Sequence, residues 1–196
     1  WKMYKWTRDR FWNPVDGLWW RDATFCPPFV TPNGKPCYWG RGNGWVLAAC
    51  VRILSELPAD AAHRDVYEAD FKAMCAALLN AQREDGTWNC SLADPEDFGG
   101  PEATGTSLFT YGLAWGIRTG LLDSNTFRPA VIRAWNGLNR ICIHDSGFIG
   151  FSQGSGKEPS EAQPASYDRI PDFEDFGTGC YLLAASEICL LAKACP

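Results

Sequence analysis

Trp39-Gly40-Arg41-Gly42-Asn43-Gly44-Trp45 runs straight into Val46-Leu47-Ala48-Ala49-Cys50-Val51. The second part is apolar almost all round, the pattern of a helix buried on every side. The first part puts an arginine, two indoles and a glycine hinge where that helix starts, near residue 43. Helix N-termini leave backbone N–H groups unpaired and carry partial positive charge, so an anion can sit there, and Arg41 adds a planar two-pronged donor. Trp39 and Trp45 offer flat apolar faces on which a sugar ring stacks through its C–H surface. Taken alone, the motif is either a site for a uronic acid or acidic oligosaccharide, or a glycine-rich turn with buried tryptophans.

Outward from this stretch, two kinds of helix alternate. Segments 43–57, 104–118 and 176–192 are apolar almost all round and rich in small residues. Segments 62–82 and 124–140 carry one apolar face: Tyr67, Phe71, Met74, Cys75, Leu78 and Leu79 recur at helical spacing against Arg64, Asp65, Glu68 and Lys72, as Phe127, Val131, Trp135 and Leu138 do against Arg128, Arg133 and Arg140. An inner helix followed by an outer helix, repeated, predicts an all-α toroid whose inner helices line a central cavity. A weak repeat agrees: Gly42-Asn43-Gly44, Gly105-Thr106-Ser107 and Gly177-Thr178-Gly179 each open an inner helix, at intervals of 63 and 72 residues. Before each comes a glycine-aromatic element, Gly17-Leu18-Trp19-Trp20, Asp85-Gly86-Thr87-Trp88 or Ser146-Gly147-Phe148-Ile149-Gly150-Phe151, read as a turn leading into a short strand or loop. The connections 89–103 and 152–174 are long enough to predict function or disorder.

Composition narrows the partners. Of 196 residues 46% are hydrophobic, and ten are tryptophan, more than a core of this size requires. With a net charge of −5 and no basic run, nucleic acid is excluded, and an anionic ligand must be attracted locally. The nine cysteines include no Cys-x-x-Cys pair and only His63 and His144 accompany them, so no metal site is expected. Cys50, Cys75, Cys180 and Cys189 read as free thiols packed like small hydrophobes, which favours a reducing setting, cytoplasmic over periplasmic. No membrane span is expected, because the apolar runs are short and interrupted. Trp1-Lys2-Met3-Tyr4-Lys5-Trp6 lacks an initiator methionine and reads as the tail of a helix, so the chain is expected to be a fragment or processed piece.

In order along the chain, Gly17-Leu18-Trp19-Trp20-Arg21-Asp22, the tryptophan-arginine-glycine motif at 39–45, Gln82 with Asp85-Gly86-Thr87-Trp88, Glu102-Ala103-Thr104-Gly105-Thr106 and Phe176-Gly177-Thr178-Gly179 resemble glycoside hydrolase family 105. These are the unsaturated rhamnogalacturonyl hydrolases, related to the unsaturated glucuronyl hydrolases. The resemblance implies an (α/α)6 barrel, a six-hairpin glycosidase fold, of which residues 1–196 supply about half as the C-terminal part of a single domain. It also implies a hydration: an aspartate protonates C4 of a 4,5-unsaturated uronic acid, water adds at C5, and the hemiketal opens to expel the next sugar. That aspartate is expected N-terminal to this chain, which alone should be inactive. The substrate implied is a pectin-derived rhamnogalacturonan oligosaccharide, with no cofactor.

Residue by residue, the resemblance makes Trp39 and Trp45 stacking residues and Arg41 the partner of the uronate carboxylate. Arg21 stands where many members have histidine, and either touches ligand or braces the loop through Asp22. Asn43 either contacts sugar or water, or caps the helix. Asp94, Glu96, Asp97, Glu102, Asp172, Glu174 and Asp175 fall on loops flanking inner helices, where a pair could mimic the acid and base of an ordinary exo-glycosidase on the same fold. Glu102 and Asp175 are read as helix-start charges, and His144 as a solvated loop residue. The competing class is a non-catalytic carbohydrate-binding or interaction fragment. Half a toroid leaves inner-helix flanks uncovered, so self-association or pairing with a missing N-terminal half is expected.

Overall fold

A computed structural model describes residues 1–154, 156, 159–168 and 175–194. Among them are six helices: α1 (Lys2–Phe11), α2 (Gly40–Glu56), α3 (Arg64–Ala81), α4 (Ala103–Arg118), α5 (Ser124–Gly137) and α6 (Asp175–Ala194). The strands are two-residue pieces, β1 (Trp12–Asn13) and β2 (Leu18–Trp19), paired antiparallel with Trp12 opposite Trp19. Of the other glycine-aromatic elements, the one at 85–88 forms a turn, and the one at 146–151 makes the single bridge Ile143↔Ile149.

Helix α4 is the axis. Every residue from Ala103 to Ile117 except Tyr111 is buried, and α2, α6 and α5 all pack against it. Helix α3 buries only Tyr67, Asp70, Phe71, Met74, Cys75 and Leu78, the stripe that its periodicity predicts for an outer helix. Trp88 plugs the space beneath α4. It is fully buried, donates from Nε1 to Leu78 O at 2.9 Å and meets Phe109 edge to face at 5.3 Å. Helix α1 is tied down by polar contacts: the Tyr4 hydroxyl and the Arg8 guanidinium both donate to Asp70, which is buried on α3.

The glycine repeat is a packing device. An added Cβ on Gly105 would lie 3.2 Å from Gly40 C and 3.3 Å from Arg41 N, and one on Gly44 3.0 Å from Leu108 Cβ, so the starts of α2 and α4 touch backbone to backbone. A Cβ on Gly177 would come 4.0 Å from Thr104 Oγ1, which brings the α6 start to the same end. Gly105→Ala is therefore expected to destabilise the chain by about 1–3 kcal/mol through overpacking, read as a lower urea midpoint at unchanged slope; an unchanged midpoint would show that the helix starts separate freely.

Three expectations are corrected here. Helix α2 begins at Gly40, not near residue 43, because Asn43 N already donates to Trp39 O at 2.9 Å and Gly40 N is held by Cys90 O at 2.6 Å. Gly42 and Gly44 thus lie inside the first turns instead of forming a hinge. Helix α6, expected to be buried all round, exposes Leu182, Leu183 and Leu190; no other described element covers that flank. Its stretch Phe176–Ala194 is also long and apolar enough to cross a membrane by length and composition, where the sequence reading expected no such segment. The eight described cysteines are free, and Cys195 lies outside the described residues.

Candidate active site

The α2 start, β2 and the loop after α3 converge. Residues 38–39 run antiparallel to 91–92, with Trp39 bridged to Ser91 and Leu92 N donating to Tyr38 O. Trp39 is thereby pressed inward to 9% exposure. Its ring lies under two guanidiniums, Arg41 with Cζ 4.7 Å and Arg21 with Cζ 5.7 Å from the ring centre, a favourable arrangement of cations over an indole face. The Phe176 ring, from the start of α6, also meets Arg41 at 5.4 Å.

Arg41 is buried, and Nη1 donates to Gln153 O at 2.5 Å and Gly154 O at 3.1 Å. Among the described residues Nε and Nη2 take no partner, so part of the five-donor fork is unspent. Arg21 is more open, and is paired with Asp22, which also accepts from Thr24 N and so caps the short 3-10 turn Ala23–Phe25. Asp22 thus orients Arg21, as the sequence suggests.

Between these groups is a cavity of about 110 Å³ lined by Trp19, Trp20, Arg21, Trp39, Gly42, Asn43 and Val46. That is too small for a whole ligand of ordinary size but large enough for one polar group. The amides of Arg41 and Gly42 precede the first intrahelical bond, made by Asn43 N; Gly42 lines the cavity, whereas Arg41 N lies against the α4 start. No carboxylate lines the cavity; an acid and base pair of the ordinary glycosidase kind does not converge there.

Asn43 is neither a cap nor open. Its Oδ1 accepts from Trp19 N, and its Nδ2 donates to Trp19 O and Trp39 O, so a buried amide bolts α2 to β2. Helix capping is excluded, since Trp39 occupies the N-cap position of α2. Trp45 does not line the cavity; it stands on α2 at 46% exposure, with no ring stacked on it among the described residues.

Gln153 is the residue the sequence reading missed. It is fully buried. Oε1 accepts from Trp39 Nε1 at 2.8 Å and from the Cys90 thiol, Nε2 donates to Pro159 O and Glu161 O, and its carbonyl holds Arg41. Its backbone N–H donates to Glu102 Oε1. Burial pushes the Cys90 thiol well above its usual range, so it stays a neutral donor in this network. Glu102 itself caps α4, accepting from Thr104 N and Gly105 N.

The other acidic candidates scatter. Asp94 is held below the usual carboxylate range, first by the Thr31 hydroxyl and then by Asn33 and nearby amides. Asp172 and Glu174 lie outside the described residues, and Asp175 is the first residue of α6. His144 is stacked on Tyr167 with centroids 3.6 Å apart, and is not simply solvated. Among the described residues no group of three or more His, Cys, Asp or Glu side chains gathers as a metal site.

The inner-and-outer helix plan with its helix starts gathered at one end is that of the toroid glycosidases, and the solved structures agree. A glycosyl hydrolase family 88 structure from Bacteroides vulgatus superposes with a TM-score of 0.89 at 38% identity, covering 96% of this chain and 53% of its own. The chain belongs to Glycosyl Hydrolase Family 88, whose sequence model matches residues 1–192. A curated relative from Formosa agariphila, named an unsaturated 3S-rhamnoglycuronyl hydrolase, is 38% identical over 197 residues, which covers 98% of this chain. This chain spans about half (50%) of that relative's length. A C. acetobutylicum glycoside hydrolase from family 105 shares the fold at 24% identity, with a TM-score of 0.72 over 94% of this chain and 55% of its own.

Proposed function

We propose that this chain is the C-terminal, substrate-holding part of a single (α/α)6 barrel in a glycoside hydrolase that hydrates 4,5-unsaturated uronic acid ends of rhamnose-containing acidic oligosaccharides, of which pectin-derived rhamnogalacturonan fragments are one source. The observation that carries the reading is the pair of guanidiniums over one buried indole at a helix start. A carboxylate entering the small cavity meets Arg21 and the Gly42 amide at the α2 start, in a site walled by Trp19, Trp20 and Trp39, with the Arg41 guanidinium against Trp39 beside it. Trp45 then offers its exposed face to the sugar ring. The relative's name, carrying rhamnose and a glycuronyl unit, supports the same substrate class. The proton-donating aspartate is assigned to the preceding part of the full-length protein. Among the described residues no carboxylate lines the cavity, so no ordinary acid and base pair forms there from them.

The test is the full-length protein acting on an unsaturated uronyl-rhamnose disaccharide in ¹⁸O-water, followed by loss of the double-bond absorbance and by mass spectrometry. Hydration puts the label on C5 of the uronate. Label on the anomeric carbon, or no turnover, would overturn the proposal.

A further inference from the structure

Beside the first cavity lies a second, of about 240 Å³, enclosed by the loops around Phe25, Phe29, Cys37, Asp97, Phe98 and Pro159. Phe25 and Phe29 meet edge to face with centroids 5.1 Å apart; Phe25 is buried, whereas Phe29 keeps 39% of its surface exposed. Phe98 has φ 53°, a region that bulky residues rarely adopt, and the fold nonetheless holds it on this wall. Asp97 stands next to it. Burial and then the neighbouring Asp94 raise its pKa, and among the described residues its carboxylate oxygens take no hydrogen bond.

The two cavities are joined by a short chain of hydrogen bonds. Pro159, on the wall of the second, accepts from Gln153 Nε2 at 3.0 Å, and Gln153 Oε1 accepts from Trp39 Nε1 at 2.8 Å. Cys37, also on that wall, is two residues from Trp39, roughly 7 Å of extended chain. Cys37 and Trp39, on the walls of the second and first cavities respectively, thus border both from one short stretch.

We infer that the second cavity is a distal saccharide subsite that takes an uncharged pyranose. Its position in a substrate rests on the proposed uronate site, but its chemistry does not. The Phe29 ring receives the C–H face of a sugar, and Asp97 accepts hydrogen bonds from its hydroxyls. Among the described residues no lysine or arginine lines the cavity, and Asp94 stands behind Asp97, so these groups disfavour a sulfated or carboxylated ring. An organic cation would also be drawn to aromatic rings beside a carboxylate, and choline serves as the probe for that rival.

The experiment is calorimetric titration of the full-length protein with three probes: a neutral methyl rhamnobioside, the same disaccharide carrying one sulfate ester, and choline. We expect measurable binding of the neutral disaccharide, at least roughly tenfold weaker binding of the sulfated one, and none of choline. Phe29→Ala should weaken the neutral disaccharide roughly three- to tenfold, and Phe29→Tyr should restore it. Asp97→Asn should weaken it too while narrowing the gap to the sulfated probe. Failure of the neutral disaccharide to bind, indifference to both Phe29→Ala and Asp97→Asn, or preference for choline would overturn the inference. None of these probes carries an unsaturated uronate, so a failed turnover assay with successful titration rejects the activity alone, and the reverse rejects this subsite alone.

Discussion

Arg41→Lys in the full-length protein should lower kcat/KM on an unsaturated uronyl disaccharide by about ten- to hundredfold, because one charge-assisted bidentate contact is worth roughly 1.5–3 kcal/mol. The buried guanidinium does two jobs at once. Nη1 holds the carbonyls of Gln153 and Gly154 and the guanidinium lies against Trp39, while on the proposed function Nε and Nη2 serve the ligand. An ammonium is a compact donor without that plane, so it can serve the carbonyls or the ligand but not both. The measurement is steady-state kinetics with circular dichroism of each variant. Full activity of Arg41→Lys would mean that Arg41 only braces the 153–154 loop.

Glu102→Ala should cost about 2–4 kcal/mol of stability, through a lost helix cap and stranded buried amides. The carboxylate accepts from Thr104 N, Gly105 N and Gln153 N, and is 1% exposed, so water cannot replace it. Urea unfolding measures the loss. Glu102→Gln keeps one acceptor oxygen and should lose less than half as much. Equal stability of wild type and Glu102→Ala would show that α4 starts elsewhere or that the amides find other partners.

What could be read from the sequence followed periodicity. The contrast between 104–118 and 62–82 is a pattern within each segment, so α4 as a buried axis and α3 as a one-faced outer helix were legible before any coordinates. The α2 start was not. Glycines at 40, 42 and 44 look locally like a hinge, since glycine costs a helix roughly 1 kcal/mol per residue. Yet they lie in the helix, with Gly44 packed against Gly105 and Leu108 and Gly40 against the Asn89 and Cys90 carbonyls, where a Cβ would clash. The exposed flank of α6 was invisible for a different reason: hydropathy shows that Leu182, Leu183 and Leu190 are apolar, not whether anything lies against them.

In the site, Arg41 and Trp39 announced themselves by residue type. Gln153 did not, because Ser152-Gln153-Gly154 has no periodicity and its partners Trp39, Arg41, Cys90 and Glu102 lie 51 to 114 residues away. Asn43 shows the opposite failure. A polar residue at a helix start suggests a ligand or a cap, and only the three-dimensional pairing with Trp19 reveals a bolt.

The bond from Arg41 to the 153–154 carbonyls joins positions 112 and 113 residues apart. Contacts between such distant positions are entropically unfavourable to close early and form late in folding. The Arg41 arrangement therefore has no counterpart in a half-folded chain, and on the proposed function uronate recognition is thermodynamically linked to completion of the fold. Ligand at a hundred times its Kd would add about 2.7 kcal/mol to the stability of the native state. On the proposed function, substrate would act as a folding ligand, and a cell rich in the oligosaccharide would hold more of this protein in its native form than a starved one.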